Sequence, residues 1–172
     1  MSNNIRCLIW RISASCRVRH WHGRGIHSPT AYKFTREVFG QRRNLPQHGI
    51  IFQSLREHGF DSSSSSMLQA IYRHFACGSC YIDGIEITGK YDSSAPVMYV
   101  IPATQNNTKT DIIVAESEKE NSVICLLTPR CTKEWYNTCL TITRHHEGMS
   151  IDCRNMIVLL NFRRINRQHI KL

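Results

Sequence analysis

Residues 149–162, MSIDCRNMIVLLNF, decide how the end of this chain folds. They contain two apolar runs, MSIDC and MIVLLNF, with only Arg154 and Asn155 between them. Because two-residue connections are typical of antiparallel strands, the stretch predicts a closing β-hairpin, although Arg-Asn is not the favoured Asn-Gly turn. The nearly continuous apolar run at residues 157–160 further predicts a strand that is buried on both faces.

Upstream of this hairpin the sequence predicts a helix and several more strands. CTKEWYNTCLTITRHH (residues 131–146) has a helical pattern, and the strand-like runs before it are CYIDGIEI, PVMYVIPA, TDIIVAES and SVICLLTP. A crossover between parallel strands takes a dozen or more residues, usually as a helix, and the gaps between these runs are shorter. We therefore expect an α/β fold in which crossover helices have been deleted or runs have been re-paired as hairpins.

The first part of the chain has a helical pattern. Residues 5–19 place apolar side chains at helical spacing, with arginines between them. Ser28 and Pro29 predict the N-cap and first residue of a second helix, TAYKFTREVF. A third helix is predicted in IIFQSLREHGF. The serine run at residues 62–66 is expected to be a mobile connector that also caps a fourth helix, MLQAIYRHFAC.

The composition indicates one globular unit with a strongly basic beginning. The chain has 172 residues, of which 41% are hydrophobic, and a formal net charge of +9. Residues 1–60 hold ten Lys and Arg against only Glu37 and Glu57. We expect this basic helical segment to precede an α/β core at residues 67–172. Its charge would attract nucleic acid or an anionic membrane surface, and an ordinary solvated face is the alternative.

Cysteine usage and hydropathy indicate a reducing compartment. Eight cysteines could form four disulfides, but CLIWRI near the N-terminus is broken by Arg11 and does not have the apolar core of a secretion signal. No apolar run approaches the roughly 18 residues that a membrane-spanning helix needs. We therefore expect a cytoplasmic chain with reduced thiols.

Two small groups of residues are candidates for chemistry, and each also has a structural interpretation. Cys77 and Cys80 form CGSC, which could hold half of a zinc site or a redox pair, but ordinary cysteines at a helix end are the favoured interpretation. His145 and His146 favour capping of a helix C-terminus over catalysis. The sequence contains no G-x-S-x-G, H-E-x-x-H or Walker lysine loop, so hydrolase and nucleotide-hydrolysing classes have no support.

The two ends of the chain resemble one protein family. GRGIHSPTAYKFTREVF (residues 23–39) is similar to the signature G-x-H-G-I-H-S-P-F-x-[YF]-x-[FL] of bacterial class I S-adenosylmethionine-dependent methyltransferase-like proteins. Residues 133–172 resemble the tail of that group, in which a Trp-bearing helix precedes S-[IF]-D-[LC]-x-x-x-[GI]-I-[VL]-x-F. The resemblance implies N-terminal helices followed by a reduced Rossmann-like (methyltransferase-type) sheet that ends in an antiparallel β-hairpin.

The resemblance also implies where S-adenosylmethionine would bind. The residues that it assigns to the cofactor are Gly25, His27 and Ser28 at the lip of the cleft, and Asp83, Gly84, Glu86 and Gly89 in the loop after the first strand. Capping of a helix explains Ser28 without any ligand. In the family's fold the second strand ends in an acid that binds the ribose hydroxyls, but here Pro102, Ala103 and Thr104 occupy that position.

These departures favour a degenerate methyltransferase-like protein that is catalytically inactive and serves as a binding module. The alternative from the enzyme class is an active methyltransferase with an atypical cofactor loop, for which no catalytic residue is assigned. A third hypothesis is a basic adaptor in which residues 5–19 hold the protein on nucleic acid or on an anionic membrane surface. No metal site is expected.

Overall fold

The chain combines helices and strands in a mixed α/β arrangement. The computed structural model describes residues 28–41, 44–87, 94–103, 121–153, 155–163 and 165–172. The helices are α1 (Pro29–Phe34), which continues as a π-helical turn (Thr35–Phe39), α2 (Ile50–Glu57), α3 (Ser62–His74) and α4 (Lys133–His145). The strands are β1 (Ser79–Ile82), β2 (Ile85–Glu86), β3 (Val97–Ile101), β4 (Ser122–Leu127), β5 (Met149–Asp152), β6 (Met156–Asn161) and β7 (Gln168–Lys171). The predicted α/β class is therefore confirmed.

The seven strands form one mixed sheet in the order β2-β1-β3-β4-β6-β5-β7. Parallel pairs join β1 to β3, β3 to β4 and β5 to β7. Antiparallel pairs join β1 to β2, β4 to β6 and β5 to β6. Because β4 and β5 both run opposite to β6, they point the same way. The strands β1, β3, β4, β5 and β7 therefore end at one edge, which we call the carboxyl edge.

Helices cover both faces of this sheet. The N-terminal helices α1, α2 and α3 pack on one face, the α1–α3 face, through a core that includes Phe34, Leu55 and Leu68. Helix α4 packs on the other, the α4 face, through Trp135 and Cys139. Residues 157–160 alternate between the two cores and are all buried, because successive side chains of a strand point to opposite faces. The predicted two-sided burial of this run is confirmed.

Helix α1 begins as the sequence predicts but changes its geometry half-way. The Ser28 Oγ atom accepts a hydrogen bond from the amide of Ala31 at 3.4 Å, and Pro29 is the first helical residue. The second half of the predicted helix, Thr35–Phe39, is a π-helical turn, in which the amide of Gly40 donates to the carbonyl of Thr35. The helix is therefore confirmed, and the π-helical turn is a feature that the apolar spacing does not reveal.

The serine run is helical, so its prediction as a mobile connector is wrong. Residues 62–66 form the beginning of α3, and Ser65 and Ser66 are buried. The N-cap residue is Asp61, whose Oδ1 atom accepts a hydrogen bond from the amide of Ser64 at 2.9 Å. A preceding Asp is an N-cap as good as Ser, and it moves the start of the helix upstream by several residues.

Helix α2 begins without a capping side chain of its own. Its N-cap residue is Gly49, with a φ of +128° that L-residues rarely adopt. The amide of Phe52 donates instead to the Oε1 atom of Gln69 in α3, at 3.1 Å, and the Gln69 side chain is buried. A β-carbon at residue 49 would overlap this amide group, so both the backbone and the neighbouring helix require glycine there.

The described strands follow the predicted runs with two exceptions, the β1–β2 hairpin and β7, which lies in no predicted run. PVMYVIPA and SVICLLTP contain β3 and β4, and the closing hairpin is β5 and β6. CYIDGIEI, expected to be one strand, is the hairpin of β1 and β2. This hairpin occupies the described beginning of the β1–β3 connection, and β1, β3 and β4 are parallel neighbours. The predicted helix at residues 5–19 and the predicted strand TDIIVAES lie outside the described residues.

Candidate functional site

The carboxyl edge is where a ligand site is expected, because open α/β sheets bind ligands beyond the carboxyl ends of their strands. The residues that follow the strands there are Asp83 and Gly84 after β1, Pro102 and Ala103 after β3, Thr128 and Pro129 after β4, and Cys153 after β5. Asp152 is the last residue of β5. The described part of this edge therefore presents two carboxylates, one at each side of the β3–β4 pair.

Asp83 and Gly84 form a tight turn. Their φ angles are +50° and +81°, and Ile82 pairs with Ile85 directly across the two residues. Two successive positive φ angles are what a type I′ turn requires, and Asp-Gly is among its preferred sequences. The amide of Asp83 also donates to the carbonyl of Val100 in β3 at 3.0 Å. The chain therefore turns back at once along the sheet and does not open into a loop after β1.

This turn changes the position of Glu86, which the resemblance assigns to a cofactor loop after the first strand. The first strand ends at Ile82, and Glu86 lies opposite Tyr81 in the returning strand β2, where it is exposed. The expected position is wrong because the Asp-Gly turn reverses the chain before Glu86. Asp83, Gly84 and Glu86 thus share one hairpin.

The remaining predicted cofactor residues are at the N-terminal lip and in the loop beyond β2. Ser28 caps α1, so its hydroxyl is engaged in holding the first helical turn. The residues that lie outside the described part of the chain are Gly25, His27 and Gly89. Their assignment to a cofactor stays a prediction.

An ion pair that no sequence motif marks joins the segment after β4 to the last residue of β5 at the carboxyl edge. The Nη2 atom of Arg130 donates to Oδ2 of Asp152 at 2.6 Å, and both side chains are largely shielded from solvent. The guanidinium carbon of Arg130 also lies 5.7 Å from the centre of the Tyr136 ring. No local sequence signal marks this pair, because 22 residues separate its members and only the placement of β5 beside β6 brings them together.

The start of α4 is fixed against the end of β4. Thr132 accepts a hydrogen bond from the amide of Trp135 at 3.1 Å and so caps the helix. The buried indole N–H of Trp135 donates to the carbonyl of Leu127, the last residue of β4, at 2.8 Å. This bond satisfies the one polar group of the ring, so Trp135 serves to position α4 on the sheet.

A second polar group lies on the α4 face, between β5 and β7. The buried hydroxyl of Ser150 is 2.7 Å from the Nδ1 atom of His169, which is its neighbour across the parallel pair. Partial burial lowers the pKa of His169 and Lys171 lowers it further, whereas Asp152 raises it. His169 is therefore predominantly neutral at neutral pH.

Another histidine is held by the N-terminal helices. The Nδ1 atom of His74, in the last turn of α3, lies 2.9 Å from Oε2 of Glu37 in the π-helical turn. The His74 ring also packs against the rings of Phe34 and Phe75, with centroid distances of 5.4 and 4.7 Å. Burial lowers the pKa of His74, although Glu37 acts in the opposite direction. The pair is therefore chiefly a hydrogen bond from a neutral imidazole to a carboxylate.

The cysteine pair is buried and unreactive. Cys77 follows α3 and Cys80 lies in β1, and burial raises the pKa of each thiol to about 12. Because the thiolate is the reactive form, neither is a redox nucleophile at neutral pH. In the part of the chain that the structure describes, no group of three or more His, Cys, Asp or Glu side chains is arranged to hold a metal ion. These positions favour the structural interpretation.

The two histidines after α4 have different partners. His145 donates from Nδ1 to the carbonyl of Thr141 at 2.9 Å, within the last turn of its own helix, as capping predicts. His146 is buried, and its Nε2 atom lies 3.1 Å from the carbonyl of Leu160 in β6. His146 therefore connects the helix end to the sheet.

Comparisons with known proteins do not identify a relative. No model of a known protein family matches the sequence, no curated protein matches it, and no solved structure matches the fold. Among the described helices, none combines the length and the apolar character that crossing a membrane would require.

Proposed function

We propose that this chain is a reduced relative of the S-adenosylmethionine-dependent methyltransferases that acts as a binding module without methyl transfer. The observation that carries the proposal is the tight turn at Asp83 and Gly84. In Rossmann-like folds the ligand lies against backbone amides at the start of the helix that follows the first strand. Here the residues that follow β1 form the exposed edge strand β2, so the described connection presents no helix N-terminus at that point.

The other strand ends support the same proposal. Pro102 and Ala103 follow β3, and neither side chain can accept hydrogen bonds from ribose hydroxyls. The carboxylate of Asp152 is already bonded to Arg130. The parallel pairs β1–β3 and β3–β4, followed by an antiparallel hairpin after α4, are compatible with the reduced sheet that the resemblance implies. These features support a methyltransferase-like scaffold that lacks the cofactor cradle.

Calorimetric titration of the full chain with S-adenosylhomocysteine tests this proposal. We expect no saturable heat, because the hairpin occupies the position of the cofactor loop. A micromolar affinity that Glu86→Ala abolishes would contradict the proposal and favour an active methyltransferase with an atypical loop. Glu57→Ala is the matched control, since it removes an equivalent exposed carboxylate from α2.

A further inference from the structure

The β7 end of the sheet carries a row of exposed side chains that are basic or can become so. Arg167 immediately precedes β7, and His169 and Lys171 alternate within it; all three are exposed. Alternate residues of a strand share a face and lie about 6.6 Å apart, so the three side chains extend over about 13 Å. We call Arg167, His169 and Lys171 the basic row.

Two hydrogen bonds hold the basic row on the α4 face. His169 is bonded to Ser150 of β5 at 2.7 Å. The Nη2 atom of Arg167 donates to the carbonyl of Arg144 at 2.6 Å, in the last turn of α4. Arg144 and His145 are themselves exposed in that turn, so the helix end extends the basic surface beyond Arg167. The row is thus a positioned feature of the fold.

The acids of this region offset only part of the charge of the row. Asp152 lies beside it in β5, but its carboxylate is bonded to Arg130 at 2.6 Å. The other acid in the described residues between α4 and β7 is Glu147, which is exposed in the connection before β5. The surface therefore remains net positive and attracts polyanions.

The surroundings of the row favour nucleic acid over a membrane. Proteins that lie on membranes combine basic residues with exposed apolar side chains. The large apolar side chains that are exposed in the described structure are Tyr32 in α1, Ile50 in α2 and Ile85 in β2. The first two belong to helices on the α1–α3 face, and β2 is at the opposite end of the sheet from β7. The basic row therefore offers contacts to phosphates without an apolar anchor.

We propose that the basic row binds the phosphate backbone of a nucleic acid, through charge and without selection of bases. This inference is independent of the proposed loss of methyl transfer. A simpler role for charges on an edge strand is to prevent pairing with another sheet, and a charge of either sign serves that role. The two roles therefore predict different results when the sign of one charge is reversed.

Fluorescence anisotropy of a labelled single-stranded oligonucleotide with the full chain, over a series of salt concentrations, tests the proposal. Each phosphate contact on a single strand contributes about 0.7 to the slope of log affinity against log salt. We expect Arg167→Gln and Lys171→Gln each to reduce the slope by about this amount. Arg73→Gln is the matched control, because it removes an exposed cation from α3 on the opposite face and should leave the slope unchanged.

Charge reversal separates binding from protection of the edge. Lys171→Glu keeps a charge on β7, so we expect an unchanged oligomeric state together with weaker binding than Lys171→Gln. The proposal is wrong if the slope stays the same in both Arg167→Gln and Lys171→Gln, or if Arg73→Gln reduces it equally. It is also wrong if the row variants weaken binding to vesicles of anionic phospholipid but leave nucleic-acid binding unchanged.

Discussion

The β5–β6 hairpin lies inside the sheet, where every residue of β5 and the first five of β6 are buried, whereas both residues of β2 in the β1–β2 hairpin are exposed. The favoured turn sequence, however, belongs to the exposed outer hairpin. The outer hairpin turns through Asp83 and Gly84, both in the left-handed region, and the inner one has no favoured turn sequence. The comparison indicates that burial specifies the inner hairpin and that turn chemistry specifies the outer one.

The largest expected effect is on the inner hairpin. Leu159 is fully buried in β6, and Leu159→Asp removes an apolar side chain that contributes about 1.5–3 kcal/mol and adds the cost of burying a carboxylate. Because domains of this kind are stable by only about 5–15 kcal/mol, we expect the variant to unfold. Circular dichroism during thermal and urea unfolding measures this loss.

An aspartate substitution in the outer hairpin, Ile85→Asp, is the control. Ile85 is 60% exposed, so Ile85→Asp should change the free energy of unfolding by about 0.5 kcal/mol or less. If Leu159→Asp kept the melting temperature of the parent chain, β6 would have to be exposed, and the contrast between the hairpins would disappear.

A smaller effect is expected at the turn of the outer hairpin. Gly84 has a φ of +81°, and an L-residue there costs about 1–2 kcal/mol, so Gly84→Ala should lower the free energy of unfolding by that amount. Asp83→Asn should be nearly neutral, because Asn tolerates the left-handed region and is also favoured in this turn. Urea denaturation of the two variants measures the difference. Equal stabilities would indicate that the turn does not specify the hairpin.

The smallest expected effect is the change of stability with pH. One of the groups responsible is His169 in β7, which lies beside the β5 strand of the inner hairpin. The pKa values of His169 and His74 in the folded chain lie below the ordinary value of 6.5. Between the folded and unfolded pKa values the unfolded chain binds more protons, so stability is complete above about pH 6.5 and decreases as the pH falls below it. Asp61, whose pKa is lowered from 3.8, acts only in more acidic solution.

Thermal unfolding measured from pH 7.5 to pH 5 follows this decrease. His169→Asn and His74→Gln should each flatten the profile, and the double variant should flatten it further. We expect the smaller effect from His169→Asn, because the side chain of His169 is more exposed than that of His74. A profile that stays equally steep in the double variant would assign the decrease to other groups.

A feature of this fold can be predicted from the sequence when the residues that determine it are neighbours along the chain. The apolar run at residues 157–160 and the pair of Ser28 and Pro29 are local signals, and the structure confirms what they predict. The Asp-Gly turn is also local, but its flanking apolar residues suggest one continuous strand. The ion pair of Arg130 with Asp152 depends on strand order, which no local pattern of the sequence contains.

The candidate site likewise depends on strand pairing that the local sequence does not contain. Resemblance alone assigns Asp83, Gly84 and Glu86 to a cofactor loop, whereas the φ angles of the first two belong to a hairpin turn. The sequence alone does not reveal the basic row, because Arg167, His169 and Lys171 form an ordinary charged tail until β7 is placed at the end of the sheet. Alternation of basic residues at every second position is the sequence signal that would have found it.

The bond from the Phe52 amide to the Gln69 side chain makes the first turn of α2 depend on a neighbouring helix. An isolated peptide of residues 50–57 lacks this acceptor, and a helix so short does not persist alone in water. Helices α2 and α3 should therefore exchange their amide hydrogens as a single cooperative unit, with the opening of α3 exposing the amides of α2. Gln69 therefore depends on the glycine at residue 49, which leaves the space that its side-chain amide occupies.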